Sequence, residues 1–149
     1  MTTQTTAGVF PRMHVSLYVR DITKTVQFYK TFFGQEPEKV KPDYSKFILN
    51  RPSLIISFVQ NTERVKENFG HLGFQVETLE EMNMRLWHAR MHGLVTLEET
   101  GTKCCYAKQD KFWVSDPDGV QWEVYYIHEN VEFNDPRYEE AGAAACCAN

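Results

Sequence analysis

The strongest constraint on the fold is an order of strand and helix patterns that occurs twice along the chain. The first copy contains one strand, one helix and two further strands, which hydrophobic alternation and helical spacing predict at residues 13–19, 22–33, 44–50 and 53–60. Asp21 is placed to cap the helix and Gly34 to end it. Pro52 separates the last two strands of this copy.

The same order begins again after a polar linker at residues 61–69. A strand at 70–77 is followed by a helix. This helix begins at Thr78, the first residue of a T-x-x-E capping box, and ends at Gly93. Four strands are predicted after this helix, at residues 94–98, 104–107, 111–115 and 120–127. The chain is therefore predicted to be an α+β protein with an N-terminal tail, two βαβββ modules and a mobile C-terminal tail, at residues 1–12, 13–60, 70–127 and 128–149.

Length and composition exclude several classes of protein. The 149 residues are one domain's length, and an apolar content of 42% is enough for a sizeable core, which argues against disorder. The formal net charge of −4 argues against a basic surface for nucleic acid. No apolar run approaches the roughly 18–20 residues that span a bilayer, and residues 1–8 lack the pattern of a secretory leader. We therefore expect a cytoplasmic protein that binds neither nucleic acid nor membrane.

The four cysteines occur as two adjacent pairs, Cys104-Cys105 and Cys146-Cys147. A secreted disulfide scaffold spaces its cysteines out, and a disulfide between neighbouring residues closes a small, strained ring. Adjacent thiols are instead suitable ligands for a soft, thiophilic centre. The alternative is that neither pair has a function, one being buried in a strand and the other lying in a frayed tail.

Three side chains are candidates for a metal site. His14 and His71 lie in the corresponding first strands of the two modules, 57 residues apart, and Glu123 lies in the last strand, after a D-P-D-G turn. Alternation puts each of them on the more polar face of its strand. If the modules bring these strands side by side, two imidazoles and a carboxylate form a facial triad suited to Fe(II) and O2. Taken singly, a strand histidine is more often a hydrogen-bonded surface or core residue than a metal ligand, and Glu123 is also explained as an exposed strand glutamate.

The repeated βαβββ order resembles that of the vicinal oxygen chelate superfamily, which includes glyoxalases and bleomycin resistance proteins. The segments that carry the resemblance are GHLGFQV around His71 and DPDG-x-x-WEVY around Glu123, and it covers residues 13–127. The resemblance implies a half-barrel cup with the helices outside and a metal site within it. It does not specify the substrate, since the superfamily includes isomerases, extradiol dioxygenases, thiol transferases and metal-free binding proteins.

A narrower resemblance is carried by TKCCYAKQDKFWV at residues 102–114, together with the terminal cysteine pair. This pattern is similar to the carbon–arsenic lyase and cadmium-induced protein family. The resemblance implies an enzyme dependent on Fe(II) and O2 that cleaves the carbon–arsenic bond of trivalent organoarsenicals, such as methylarsonous acid or aromatic arsenicals, and releases arsenite in detoxification. Carried over by position, Cys104 and Cys105 would bind arsenic, while His14, His71 and Glu123 would hold Fe(II).

Further roles follow from nearness in the sequence. Lys111 and Tyr106 are candidates for proton transfer, with a place in the core or on the surface as the alternative for each, and the tail cysteines Cys146 and Cys147 are candidates for substrate delivery. Because neighbouring side chains of a strand point in opposite directions, both thiols can hold one arsenic only if the segment from Gly101 to Cys105 turns or moves. A monomer and a homodimer are both compatible with the pattern.

Three other functions remain open at this point. A protein that sequesters cadmium or arsenite through its thiols, without turnover, would need Cys104 and Cys105 but not His14 or Glu123. An extradiol-type dioxygenase would need the metal ligands but not the thiols. A glyoxalase-type isomerase is disfavoured, because it would need a second carboxylate from residues 53–60, which contain none.

Overall fold

The computed structural model describes residues 10–66, 70–104 and 107–130, with the backbone alone for Cys104, Ala107 and Asn130. The chain divides into two compact units, with the boundary between residues 66 and 67, inside the predicted linker. The elements of the first unit are β1 (Met13–Val19), α1 (Ile22–Phe33), β2 (Lys39–Lys41), β3 (Tyr44–Leu49), β4 (Leu54–Gln60) and a short 3₁₀ helix (Thr62–Arg64). Those of the second are β5 (His71–Gln75), α2 (Leu79–Met91), β6 (Val95–Cys104), β7 (Ala107–Ser115) and β8 (Gln121–Asn130). Within these described residues, no helix is long and apolar enough to cross a membrane.

The first unit is a four-stranded sheet in the order β1-β4-β3-β2, with β1 parallel to β4 and the other pairs antiparallel. Helix α1 begins where the Asp21 side chain accepts a hydrogen bond from the Lys24 N–H, and it ends at Gly34, whose φ is 66°. Tyr29 of the helix stacks on Phe58 of the sheet, with ring centroids 4.3 Å apart, and both are fully buried. Aromatic packing between helix and sheet therefore forms this core.

The second unit repeats that topology. Its sheet has the order β5-β8-β7-β6, with β5 parallel to β8, and α2 begins at Thr78, whose side chain accepts from the Glu81 N–H. Met82 and Ala89 of α2 are buried, as are the apolar side chains on one face of the central strands, Phe112, Val114, Trp122 and Val124. The predicted α+β fold of two βαβββ modules is confirmed.

Three details of the strands differ from the prediction. The strand predicted at 94–98 is longer than expected, because β6 continues through a bulge with register shifts on β7 as far as Cys104, and β7 begins at Ala107 rather than at residue 111. The last strand extends to Asn130, so residues 128–130, predicted to belong to the tail, are part of β8, and Glu129 and Asn130 pair with β7. Strand β2 was not predicted, because its Lys-Val-Lys segment is exposed at a sheet edge and has no buried alternate position.

Candidate functional site

His71 and Glu123 lie on neighbouring parallel strands of the second unit. The register of β5 and β8 pairs His71 with Gln121 and Gly73 with Glu123. Since side chains alternate along a strand, these four residues share the face opposite to the buried apolar side chains. His71 Nε2 and Glu123 Oε1 are 3.4 Å apart, and the two side chains are 18% and 17% exposed. The structure therefore brings together two of the three predicted metal ligands.

The D-P-D-G turn fixes where β8 begins. Asp116 Oδ1 accepts hydrogen bonds from the backbone N–H groups of Asp118, at 2.9 Å, and Val120, at 2.8 Å. Gly119 has a φ of 85°, a left-handed conformation that glycine adopts without a steric cost. Both aspartates are buried, so the turn is a rigid start for the strand. Glu123 follows as the third residue of β8.

Gly73 provides the room that Glu123 occupies. A Cβ atom at this position would lie 2.5 Å from Glu123 Cγ and 2.6 Å from the Glu123 carbonyl oxygen. Both distances are shorter than real Cβ contacts, so any side chain here would displace the glutamate or its strand. Gly73 was not predicted to belong to the site, although an isolated glycine in a strand pattern is a signal of close backbone approach.

Three further side chains surround the pair, and Lys111 is the central one. Its Nζ lies 3.8 Å from Glu123 Oε2 and 3.7 Å from Glu99 Oε2, and its side chain is 2% exposed. Trp113 Nε1 donates to Glu99 Oε2 at 3.2 Å, and its ring contacts His71 edge-on, with centroids 5.0 Å apart. Lys111, predicted as a catalytic candidate, is therefore part of this site, and Glu99 and Trp113 join it through direct contacts.

Glu99 was not predicted as a site residue, because the strand predicted in this segment ended at residue 98. Gly101, an isolated glycine in a strand pattern, is a sequence signal for a bulge in this segment, and its φ is 62° in the structure. The ladder between β6 and β7 pairs Thr102 with Gln109, then shifts register and pairs Glu99 with Lys111. The Gly101 N–H donates to Asp110 Oδ1 at 2.7 Å at this bulge. The oppositely charged pair is thus created by the bulge.

His14 lies in the first unit, on an exposed part of β1. Its Nε2 is 3.5 Å from the hydroxyl oxygen of Ser57 on β4. Ser57 pairs with Ser16 in the ladder of β1 and β4, which is the relation that Glu123 has to Gly73 in the second unit. A serine therefore stands in the first unit where the second unit has its glutamate. Strand β4, all of which is described, carries no acidic residue.

Of the predicted substrate-binding cysteines, the structure describes the backbone of Cys104. Cys104 is the last residue of β6 and pairs with Ala107, the first residue of β7. Cys105 and Tyr106, like the tail cysteines Cys146 and Cys147, lie outside the described residues. Their proposed roles therefore stay predictions.

The His71–Glu123 pair fits two ligands of one transition-metal ion. Imidazole nitrogen and carboxylate oxygen bind such ions at about 2.0–2.2 Å, so two adjacent ligands are separated by about 3 Å. The 3.4 Å between Nε2 and Oε1 is close to that separation. No group of three His, Cys, Asp or Glu side chains among the described residues is arranged to hold a metal ion. Among the described residues of this unit, His71 and Glu123 are therefore the pair whose spacing suits two ligands of one metal ion.

Comparisons with known proteins place these features in context. Residues 13–124 match the model of the Glyoxalase/Bleomycin resistance protein/Dioxygenase superfamily. A "trivalent organoarsenical cleaving enzyme" from Bacillus sp. (strain MD1) is 41% identical over 137 residues, which are 91% of this chain and 82% of that protein. The "cadmium-induced protein CadI" of Mycobacterium bovis is 34% identical over 141 residues, 91% of this chain and 92% of that protein. A glyoxalase/bleomycin resistance protein/dioxygenase structure from Alicyclobacillus acidocaldarius has a TM-score of 0.66 at 15% identity. The superposition covers 79% of this chain and 92% of that protein's chain.

Proposed function

The chain belongs to the Glyoxalase/Bleomycin resistance protein/Dioxygenase superfamily, and from this premise we propose that it cleaves the carbon–arsenic bond of trivalent organoarsenicals. The observation that carries this proposal is the partly buried His71–Glu123 pair, with 3.4 Å between Nε2 and Oε1, in the same unit as the vicinal cysteines. Relatives at 34–41% identity that are named trivalent organoarsenical cleaving enzymes support the choice of substrate. The physiological role would be arsenic detoxification.

Fe(II) is the proposed cofactor, with His71 and Glu123 as two of its ligands. The third proposed ligand is His14, because it lies in the first strand of its module, as His71 does in the second module. Two histidines and one carboxylate are a ligand set typical of non-haem Fe(II) sites that keep open positions. Bound there, Fe(II) would supply the O2 chemistry that amino-acid side chains do not provide.

Cys104 and Cys105 are proposed to bind the arsenic. A monomethylated trivalent arsenic has two exchangeable positions, which two thiolates fill while the carbon–arsenic bond stays intact. Cys104 pairs with the first residue of β7, and Lys111 lies four residues further along that strand, a distance of roughly 13 Å. We therefore propose that the end of this hairpin moves toward His71 and Glu123 when the substrate binds.

The overall reaction balances with one O2 per substrate. Methylarsonous acid and O2 give arsenite and formaldehyde, so that one oxygen atom ends on arsenic and one on carbon, and the methyl carbon is oxidised. Proton transfer is proposed for Lys111 Nζ, which lies 3.8 Å from Glu123 Oε2, and for Tyr106. Cys146 and Cys147 are proposed to deliver the arsenical to the site. The enzyme is proposed to act in the cytoplasm, as a monomer or a homodimer.

A single-turnover assay tests this function. Reduced protein is loaded with Fe(II) without air, then given methylarsonous acid and air, and arsenite and formaldehyde are measured. We expect both products from the unmodified protein and from Glu36→Ala, a control that changes an exposed glutamate of the first unit. We expect neither product from Glu123→Ala or from the double variant Cys104→Ser/Cys105→Ser.

A thiol-based sequestering protein is the second candidate, favoured by the similarity to a relative named for its induction by cadmium. That function would require Cys104 and Cys105 but leave Glu123 dispensable. Tight arsenic binding that Glu123→Ala does not weaken, with no arsenite formed by iron-loaded protein, would establish it and contradict the lyase. Product formation that does not need the cysteines would indicate a dioxygenase acting on another substrate.

A further inference from the structure

We propose that Lys111 is a positioning residue that keeps Glu123 bound to the metal through one carboxylate oxygen, with Glu99 and the bulge at Gly101 holding Lys111 in place. This inference rests on the proposed function, because it takes His71 and Glu123 as ligands of one metal ion. It adds a role that is separate from proton transfer. That role is to keep one coordination position of the metal from being filled by the protein.

The two oxygens of Glu123 have different neighbours. Oε1 lies 3.4 Å from His71 Nε2, while Oε2 lies 3.8 Å from Lys111 Nζ. A carboxylate can bind a cation through one oxygen or through both. A fixed positive charge beside Oε2 competes with the metal for that oxygen and repels the metal from it. Oε1, on the side of His71, is therefore the oxygen that remains for coordination.

Lys111 is held in this place by burial and by two acidic partners. Its side chain is 2% exposed, and a lysine so buried requires compensating charge. Glu99 Oε2 lies 3.7 Å from its Nζ, and the ring of Trp113 lies 5.5 Å from it, within the range of a cation–π contact. One ammonium group faces two carboxylates, so a divalent cation at Glu123 and His71 would offset the remaining negative charge.

The bulge decides which residue supports Lys111. On one side of the bulge Thr102 pairs with Gln109, and on the other Glu99 pairs with Lys111. If the register of Thr102 and Gln109 continued without a shift, Thr100, a neutral side chain, would lie opposite Lys111. Bulges commonly change the direction of side chains next to active sites. Here the hydrogen bond from the Gly101 N–H to Asp110 stabilises the bulge. Glu99 is therefore placed at the site by backbone geometry.

The expected consequence of removing Lys111 is a change in the number of water molecules on the metal. In Lys111→Met the charge beside Oε2 is lost, while the length and burial of the side chain are nearly kept. Glu123 is then free to bind through both oxygens, so one coordinated water is displaced. The affinity for a divalent metal rises by roughly an order of magnitude, the scale on which neighbours of metal ligands act.

Titration with Mn²⁺ alone measures both quantities. The relaxation of solvent water protons reports how many exchangeable waters the bound Mn²⁺ carries, and a competing chelator gives its affinity. We expect one water fewer and tighter binding in Lys111→Met, and values like those of the unmodified protein in Lys111→Arg, which keeps the charge. Glu99→Gln should move both quantities the same way by a smaller amount. Lys46→Met, which removes a lysine of the first unit paired with Glu38, is the matched control and should change neither.

The outcomes separate this inference from the proposed function. Equal water counts in the unmodified protein and in Lys111→Met, with Mn²⁺ bound to both, would overturn the role of Lys111 and leave the proposed function standing. Weaker binding in Lys111→Met would also overturn it, because Lys111 would then support the site only structurally. No Mn²⁺ binding by the unmodified protein would contradict both proposals. If Lys111→Met does not fold, the water count and the Mn²⁺ affinity of Glu99→Gln are compared with those of Lys111→Arg. Fewer waters and tighter binding in Glu99→Gln support the role of Lys111, and equal values in the two variants overturn it.

Discussion

Gly73→Ala is the substitution that probes the geometry of the site most sharply, because it adds one methyl group at a known place. The new Cβ would lie 2.6 Å from the Glu123 carbonyl oxygen, about 0.8 Å short of the 3.4 Å at which ordinary contact begins. That oxygen belongs to the backbone of β8, so strand β5 has to move away from β8 as a unit. Glu123 Cγ, at 2.5 Å, is displaced as well.

The size of the effect follows from these overlaps. Overpacking of this kind costs typically about 1–3 kcal/mol of unfolding free energy. For a chain of this length, each kcal/mol lowers Tm by roughly 2–4 °C, so the expected decrease in Tm is roughly 2–12 °C. Metal binding should weaken about 10–100-fold, since Glu123 leaves its place beside His71.

Thermal unfolding and anaerobic Fe(II) titration, carried out on the same samples, measure the two effects. Gln75→Ala is the matched control, because it places an alanine two residues further along the same face of β5, at an exposed position. It should change the unfolding free energy by no more than about 0.5 kcal/mol. If Gly73→Ala kept the Tm and the Fe(II) affinity of the unmodified protein, the packing of Glu123 against β5 would be refuted.

Three further predictions concern other parts of the molecule. Glu99→Ala leaves a buried lysine with one carboxylate fewer and should lower the unfolding free energy in urea by about 3–5 kcal/mol. Arg90 donates two hydrogen bonds to Glu98, and these lower the pKa of the Glu98 carboxyl. The stabilisation that they give is complete above the usual glutamate pKa and is lost as the pH falls through the lowered pKa. Tm should therefore fall less steeply on acidification in Arg90→Ala than in the unmodified protein. The double variant Cys146→Ser/Cys147→Ser should form arsenite more slowly than the unmodified protein at limiting substrate but not at saturating substrate. If the variant matched the unmodified protein at both substrate concentrations, a delivery role would be excluded.

His71 and Glu123 were predictable because each depends on a local pattern. Alternation fixes the face of a strand, and the D-P-D-G turn fixes where the last strand begins. The parallel pairing of β5 with β8 then brings the two faces together. His14 stays a prediction, because alternation fixes its face within its own unit and carries no information about the other unit.

Glu99 was not predictable in the same way. Its partner is set by a shift in register, and that shift depends on a positive φ at Gly101 and on a hydrogen bond to Asp110 nine residues away. A pattern with a period of two loses its phase at such a bulge, which is also why the strand predicted at 94–98 ended too early. The burial of Lys111 follows from the same hairpin.

The most direct test of the proposed function is the ratio of O2 consumed to arsenite formed by Fe(II)-loaded protein with methylarsonous acid. An oxygen electrode and arsenic speciation on the same sample measure both quantities. We expect one O2 consumed for each arsenite released, and neither process in Glu123→Ala. Arsenite formed without O2 consumption, or formed at an unchanged rate by Glu123→Ala, would contradict the proposal.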